Sequence, residues 1–215
     1  MSQEARFSRM EPELRKANLI ESTLTCLKRH GFQGASIRRI CAEAGVSVGL
    51  ISHHYSGKDE LVAEAYLAIT GRVMNLLREA MAQAAPNARQ RLSAFFNASF
   101  SAELLDPQLL DAWLAFWGAV KTAEAINQAH EHSYGEYRNE LSRVLGELAA
   151  EEGWDDFDAD LAAISLSALL DGLWLESGLN PGTFTPSQGI LICEAWVDGL
   201  QAGARQRFRR QTEGC

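Results

Sequence analysis

The sequence predicts an all-α protein, on three observations. Apolar residues recur at steps of three and four in one segment after another, no run alternates apolar and polar residues as a strand does, and proline and glycine stand where helices start and stop. Ala17, Ile20, Leu24 and Leu27 share one face of a first helix. It ends at His30-Gly31, since glycine is favoured just past a helix C-terminus. Ile37, Ile40, Cys41 and Ala44 form the buried stripe of a short second helix, capped by Ser36 and stopped at Gly45. A longer amphipathic helix runs from Lys58 to about Met81 and breaks around Pro86. Asp106-Pro107 and Thr185-Pro186 each set an N-cap before a proline in the first helical position, the former opening a tryptophan-rich helix. Asn180-Pro181-Gly182 is the clearest turn, and there is no internal repeat.

The 215 residues suffice for one large domain or two modest ones, and the 47% apolar share is that of an ordinary globular protein. No apolar run approaches the length needed to cross a bilayer, and Met1–Met10 is too polar for a secretory signal, so a cytoplasmic protein without a membrane partner is expected. Cys26, Cys41, Cys193 and Cys215 lack the paired spacing of a zinc site or disulfide framework. Cys26 and Cys41 read as small buried thiols, and Cys215 as the end of a polar tail, open to an adventitious disulfide. The net charge of -8 argues against nucleic acid taken whole, yet residues 1–60 carry nine Lys/Arg against seven Asp/Glu, and the rest 11 against 21. A mildly basic head on an acidic body leaves one face attractive to phosphates.

Residues 36–55 combine a short apolar-striped helix, a tight turn at Gly45, an inward Val46 and a second short helix that buries Leu50 or Ile51 and Tyr55. A helix-turn-helix needs this arrangement: one helix braces across the DNA backbone and the next enters the major groove. Ser47, Val48 and Gly49 are small where the recognition helix must approach base edges. His53-His54 diverge by about 100° on a helix with no third ligand nearby, so DNA contact is the better reading and no metal is expected.

These residues resemble the TetR family of bacterial repressors, through Ala44–Ser47, Gly49, Tyr55 and Lys58-Asp59-Glu60-Leu61; Ser52 stands where many members carry tyrosine. The resemblance implies a three-helix DNA-binding domain over residues 1–57 and a helical ligand-binding and dimerisation domain over 58–210. It also implies roles. Arg38 contacts a base or phosphate, and Arg39 is as readily solvated. Ser36 and Ser47 donate to phosphates from helix N-termini. Val48 and Gly49 lie near thymine methyls or sugar, Ser52 and His53 face base or backbone, His54 lies near a phosphate, and Lys58 clamps the backbone.

In the body, Trp113 and Trp117 lie one turn apart with Phe116 beside them, Asp171 and Trp174 share a face with Glu176 close by, and Tyr134 and Tyr137 sit on a polar helix between. Aromatic stripes usually fill a core. Aromatics accompanied by an acid also make the receptor for an ammonium-type cation. Ala112–Trp117 and Asp171–Leu175 resemble BetI-type repressors, which implies a choline-like or polyamine-like effector held by Trp113, Trp117, Trp174 and Asp171, with Phe116, Tyr134 and Glu176 as further candidates. A non-cationic amphiphile is the alternative.

Ile190, Cys193, Val197, Leu200 and Ala204 step along the last helix, with Gly199 and Gly203 allowing close approach, and the helix over 160–177 is apolar nearly all round. Such a helix is buried twice. The expected partners are a second copy of the chain, joined through the last two helices, double-stranded operator DNA and a small-molecule effector. An enzyme is disfavoured, because no serine-histidine-acid set, phosphate loop or metal spacing is present, and no cofactor is expected. An architectural DNA binder without effector predicts no pocket.

Overall fold

A computed structural model describes residues 12–84 and 86–209. Among them are nine α-helices: α1 (Pro12–Gly34), α2 (Ile37–Ala44), α3 (Val48–His54), α4 (Lys58–Gln83), α5 (Ala88–Ser99), α6 (Pro107–Val120), α7 (Glu124–Glu152), α8 (Ala159–Leu179) and α9 (Pro186–Gln201), followed by a 3-10 turn at Ala204–Arg207. No strand occurs among the described residues, only an isolated bridge between Phe157 and Arg209. The chain forms two compact units. Unit 1 takes the described residues up to Arg72 with Asp111–Ser133, and unit 2 takes Val73–Leu110 with those from Tyr134 onward. Helices α4, α6 and α7 contribute to both, α6 giving only Pro107–Leu110 to unit 2.

The stop and start signals act as the sequence requires. Gly31 interrupts α1 with φ 62°, and Gly45 closes α2 at φ 68°, both in the left-handed region open to glycine. Ser36 caps α2, Asn87 caps α5, Asp158 caps α8, and Thr185 and Gln188 form a capping box at α9 ahead of Pro186. Asp106 accepts from Leu109 N–H at 3.1 Å, so Asp106-Pro107 opens α6 as expected.

In unit 1, Leu19, Ile20, Leu24 and Leu27 of α1 are buried with Ile40, Cys41 and Ala44 of α2, Ile51 of α3, and Leu61, Ala65 and Tyr66 of α4. Ala17, one turn earlier on the expected stripe, is exposed. The Asn18 amide donates to the Ala44 carbonyl at 3.0 Å and finishes the end of α2. Glu64 pairs with both Lys16 of α1 and Tyr55 at the end of α3, so one carboxylate ties three helices together. Burial, and then Glu64, push the Tyr55 phenol far above its usual range.

Unit 2 is built on α5, α8 and α9 with parts of α4 and α7. Gly189 of α9 lets Phe100 lie against the helix: a Cβ there would fall 2.5 Å from the Phe100 ring. The Trp174 indole N–H donates to Ser99 O at 3.0 Å. Glu151 of α7 receives the Ala88 N–H at the start of α5, and Arg89 bridges from α5 to Glu194 and Asp198 of α9.

Two expectations about the last helices change. Cys193, Val197 and Leu200, read as the dimer stripe of α9, are at most 1% exposed and fill the unit's own core. Ile190 is half-buried, and Ala204 lies beyond the helix, which stops before Gly203 (φ 119°). The exposed apolar face of α9 is instead Leu191 and Ile192, and α8 exposes Leu161, Ile164, Leu175 and Leu179. Period alone marks two apolar faces without saying which turns inward. The second change concerns length. By length and composition α8, 21 residues with a mean hydropathy of 1.2, is sufficient to cross a membrane, although Asp160, Asp171 and Glu176 interrupt every apolar run in it. One face, with Leu166, Leu170 and Trp174, is buried as in the core helix of a globular unit.

Candidate nucleic-acid interface and ligand site

Helices α2 and α3 meet at the Gly45 turn, where the Val46 N–H bonds the Cys41 carbonyl at 2.9 Å. Their inner sides carry Ile40, Cys41, Ala44 and Ile51. Ser36, Arg38, Ser47, Val48 and Gly49 are all exposed, Val48 by 44%. Gly49 is more telling: a Cβ built on it meets nothing within 4 Å, and its backbone is helical. Alanine would strengthen the helix by about 0.5–1 kcal/mol, so nothing inside the chain asks for glycine.

Ser36 Oγ accepts from Arg39 N–H at 3.4 Å, which leaves its own proton to donate outward. The Arg39 guanidinium turns back to the Gly34 carbonyl. Lys58 is half-buried; its ammonium donates to the Phe32 carbonyl at 3.1 Å and sits 3.9 Å from the centroid of the Phe32 ring, fastening α4 to the end of α1. Of its three N–H donors that contact occupies one. For Ser52, His53 and His54 the described structure is the helical backbone; their side chains lie outside the described residues, as does Cys215. Burial raises the thiols of Cys26 and Cys41, which fits inert core cysteines.

The aromatic residues of α6 form a cluster in unit 1. Trp113 and Trp117 have ring centroids 6.3 Å apart, and Trp113 and Phe116 meet Tyr66 of α4 edge to face at 5.5 and 5.0 Å. The Tyr66 hydroxyl is hydrogen-bonded to His130 Nδ1 at 2.9 Å. Phe116 is wholly buried and Trp117 half-buried. Tyr66, the hub, escaped the sequence reading; it lies within the amphipathic pattern of α4 like any core residue.

In unit 2, Asp171 is half-buried and no partner for its carboxylate is found among the described residues. Desolvation pushes its pKa up to about 7. Trp174 follows one turn later, buried. Glu176 is committed to Asn180 Nδ2 and Thr183 Oγ1, both at 3.1 Å, where it braces the turn after α8. Tyr134 is half-buried, with its ring 6.1 Å from that of Tyr137 and the Arg138 guanidinium 5.7 Å away. The Tyr137 hydroxyl is fully buried and has no hydrogen-bond partner among the described residues. A cleft of about 220 Å³ elsewhere in unit 2 is lined by Trp154, Asp155, Asp156, Arg205 and Arg209 among others; none of the expected effector residues borders it.

Residues 19–65 match the family described as "Bacterial regulatory proteins, tetR family", and residues 88–202 match "BetI-type transcriptional repressor, C-terminal". The HTH-type transcriptional regulator BetI of Pseudomonas fluorescens is 31% identical over 207 residues, which cover 92% of this chain and 98% of the relative. The crystal structure of a protein from Pseudomonas aeruginosa PAO1, described as a transcriptional regulator, has a TM-score of 0.92 and 78% identity, over 95% of this chain and 98% of that one. A regulator from Saccharomonospora viridis, solved in complex with choline, has a TM-score of 0.73 at 20% identity, over 87% of this chain and 97% of its own, a likeness of fold.

Proposed function

The chain belongs to the TetR family of bacterial transcriptional regulators, with a C-terminal half of BetI type, and from that premise we propose that it is a repressor released from operator DNA by a small cationic effector. A dimer of cytoplasmic protein sets two α3 helices about 34 Å apart, in successive major grooves of a near-palindromic operator. Ser36, Arg38, Ser47, Val48, Gly49, Ser52, His53, His54 and Lys58 face the DNA in this reading. The bare side of Gly49 supports it, since the cost of a helical glycine is offset by close approach to something outside the chain. The second copy docks on the exposed apolar faces of α8 and α9, where Gly172, also open to space, lies between Ile164 and Leu175. Monomeric proteins rarely leave such a patch uncovered.

The observation that carries the effector is Asp171, a desolvated carboxylate with no partner among the described residues, one turn from Trp174. A cation supplies the missing charge, and indole and phenol faces such as Trp174 and Tyr134 attract it further. Trp113 and Trp117 are the aromatic candidates in unit 1. The choline bound by the Saccharomonospora viridis protein makes a quaternary ammonium the first compound to try. Binding favours a conformer with altered α3 spacing, and α4, which reaches from the helix-turn-helix into unit 2, carries the shift.

The same carboxyl favours one second reading. At neutral pH a pKa of about 7 leaves it partly protonated, and a neutral acid donates to an uncharged amphiphile. The two readings have opposite pH signs. Operator release is measured by fluorescence anisotropy against choline, spermidine and a neutral amphiphile from pH 6 to pH 8. A cationic effector acts more strongly as pH rises through 7 and loses its action in Asp171→Asn. A compound that acts more strongly as pH falls identifies the neutral ligand, and unchanged operator affinity throughout removes the cationic trigger.

A further inference from the structure

We propose that the Tyr137 hydroxyl is the effector's hydrogen-bonding partner inside unit 2, so that the site selects an ammonium compound bearing an oxygen function over its plain alkyl counterpart; this rests on the reading of Asp171 above. Tyr137 lies on α7 with its hydroxyl sealed from solvent and unpaired. Its ring meets those of Phe95 at 5.9 Å and Tyr134 at 6.1 Å, and the buried thiol of Cys193 is close enough to affect its titration. A buried hydroxyl with no partner destabilises the fold, and phenylalanine would fill the same space without that cost.

The position links the phenol to Asp171. Phe95 and Ser99 are one turn apart on α5, and Ser99 Oγ donates to the Phe95 carbonyl at 2.8 Å. Phe95 meets Tyr137, while the Ser99 carbonyl receives the Trp174 indole N–H at 3.0 Å. Tyr137 and Trp174 thus both contact the last turn of α5, with Asp171 one turn from Trp174 on α8. A carboxylate and a hydroxyl, each without a partner among the described residues, on two helices that meet at Ser142 and Asp160 ask for complementary ends of one small ligand: a positive nitrogen, and an oxygen a few bonds away.

Isothermal titration of the full chain with choline and with propyltrimethylammonium, which replaces the hydroxyl by a methyl, tests this on wild type, Tyr137→Phe and Asp171→Asn. Wild type prefers choline by about tenfold, the worth of one hydrogen bond. Tyr137→Phe abolishes that preference with the alkyl compound unaffected, and its empty form melts about 2–4 °C higher. Asp171→Asn weakens both. A preference that survives in Tyr137→Phe, or one absent from wild type, overturns the assignment and leaves the Asp171 reading intact. Wild type that binds neither compound overturns both.

Discussion

In unit 1 the buried hydroxyls of Thr23, Tyr66 and Thr70 each find a partner within the unit: the Leu19 carbonyl at 2.7 Å, His130 at 2.9 Å and Ser133 at 2.9 Å. In unit 2 the hydroxyl of Tyr137 finds none, and the partly buried Asp171 carboxylate is equally alone among the described residues. The other buried atoms without hydrogen-bond partners, on Arg91, Glu147 and Glu194, also lie in unit 2 but belong to groups held in ion pairs. Polar groups buried without partners are costly, so their position marks where a fold gave up stability. The contrast teaches that unit 1 meets the needs of these buried hydroxyls from within, whereas unit 2 holds buried polar groups without partners among the described residues.

The largest effect is expected at the outer face of unit 2. Changing Ile164 and Leu175 together to aspartate leaves each fold intact, because both side chains stand in solvent, yet yields a monomer by sedimentation. Operator affinity then falls by about 100-fold or more, since two half-site contacts are no longer linked. A variant that stays dimeric moves the interface elsewhere. Next is Gly189→Ala, whose methyl meets the buried Phe100 ring and costs about 1–3 kcal/mol in thermal unfolding.

Asp171 ranks third. Affinity for a quaternary ammonium declines about tenfold for each pH unit below 7, measured by titration calorimetry. The empty protein shows the matching linkage. Its folded form holds the Asp171 proton up to about pH 7, whereas the unfolded chain releases it near the usual 3.8. The stability so gained is complete below that lower value and is lost as pH rises through 7. Asp171→Asn flattens that slope and melts higher than wild type at pH 8. The smallest change is Gly49→Ala, which raises stability by about 0.5–1 kcal/mol while weakening the operator complex. A variant that gains stability and keeps full affinity would show that α3 does not come close to DNA on this side.

The helix-turn-helix was legible because local signals decide it: Ser36 and Gly45 bound α2, and the Ile40–Ala44 stripe has only one core to face. The capping residues Asp106 and Thr185 were readable for the same reason. In α9 and α8, by contrast, two apolar faces compete, and only three-dimensional packing sends Val197 inward and Leu191 outward. Tyr137 was passed over for Tyr134, three residues away on α7, because a side chain's missing hydrogen bond leaves no trace in spacing. Glu176 is legible only as a charge and Lys58 only as part of the family motif, and their contacts with Thr183 and Phe32 depend on chain segments that neither pattern includes.

The knot at Glu64 has a mechanical consequence. Lys16 and Tyr55 share one carboxylate and Lys58 is pinned to Phe32, so contacts from α1, the end of α3 and α4 gather at the joint between α3 and α4. In the proposed mechanism a tilt of α4 reaches α3 through these contacts, as a key turns with its shank. An effector that tilts α4 would then set the fit to the groove through the angle of α3.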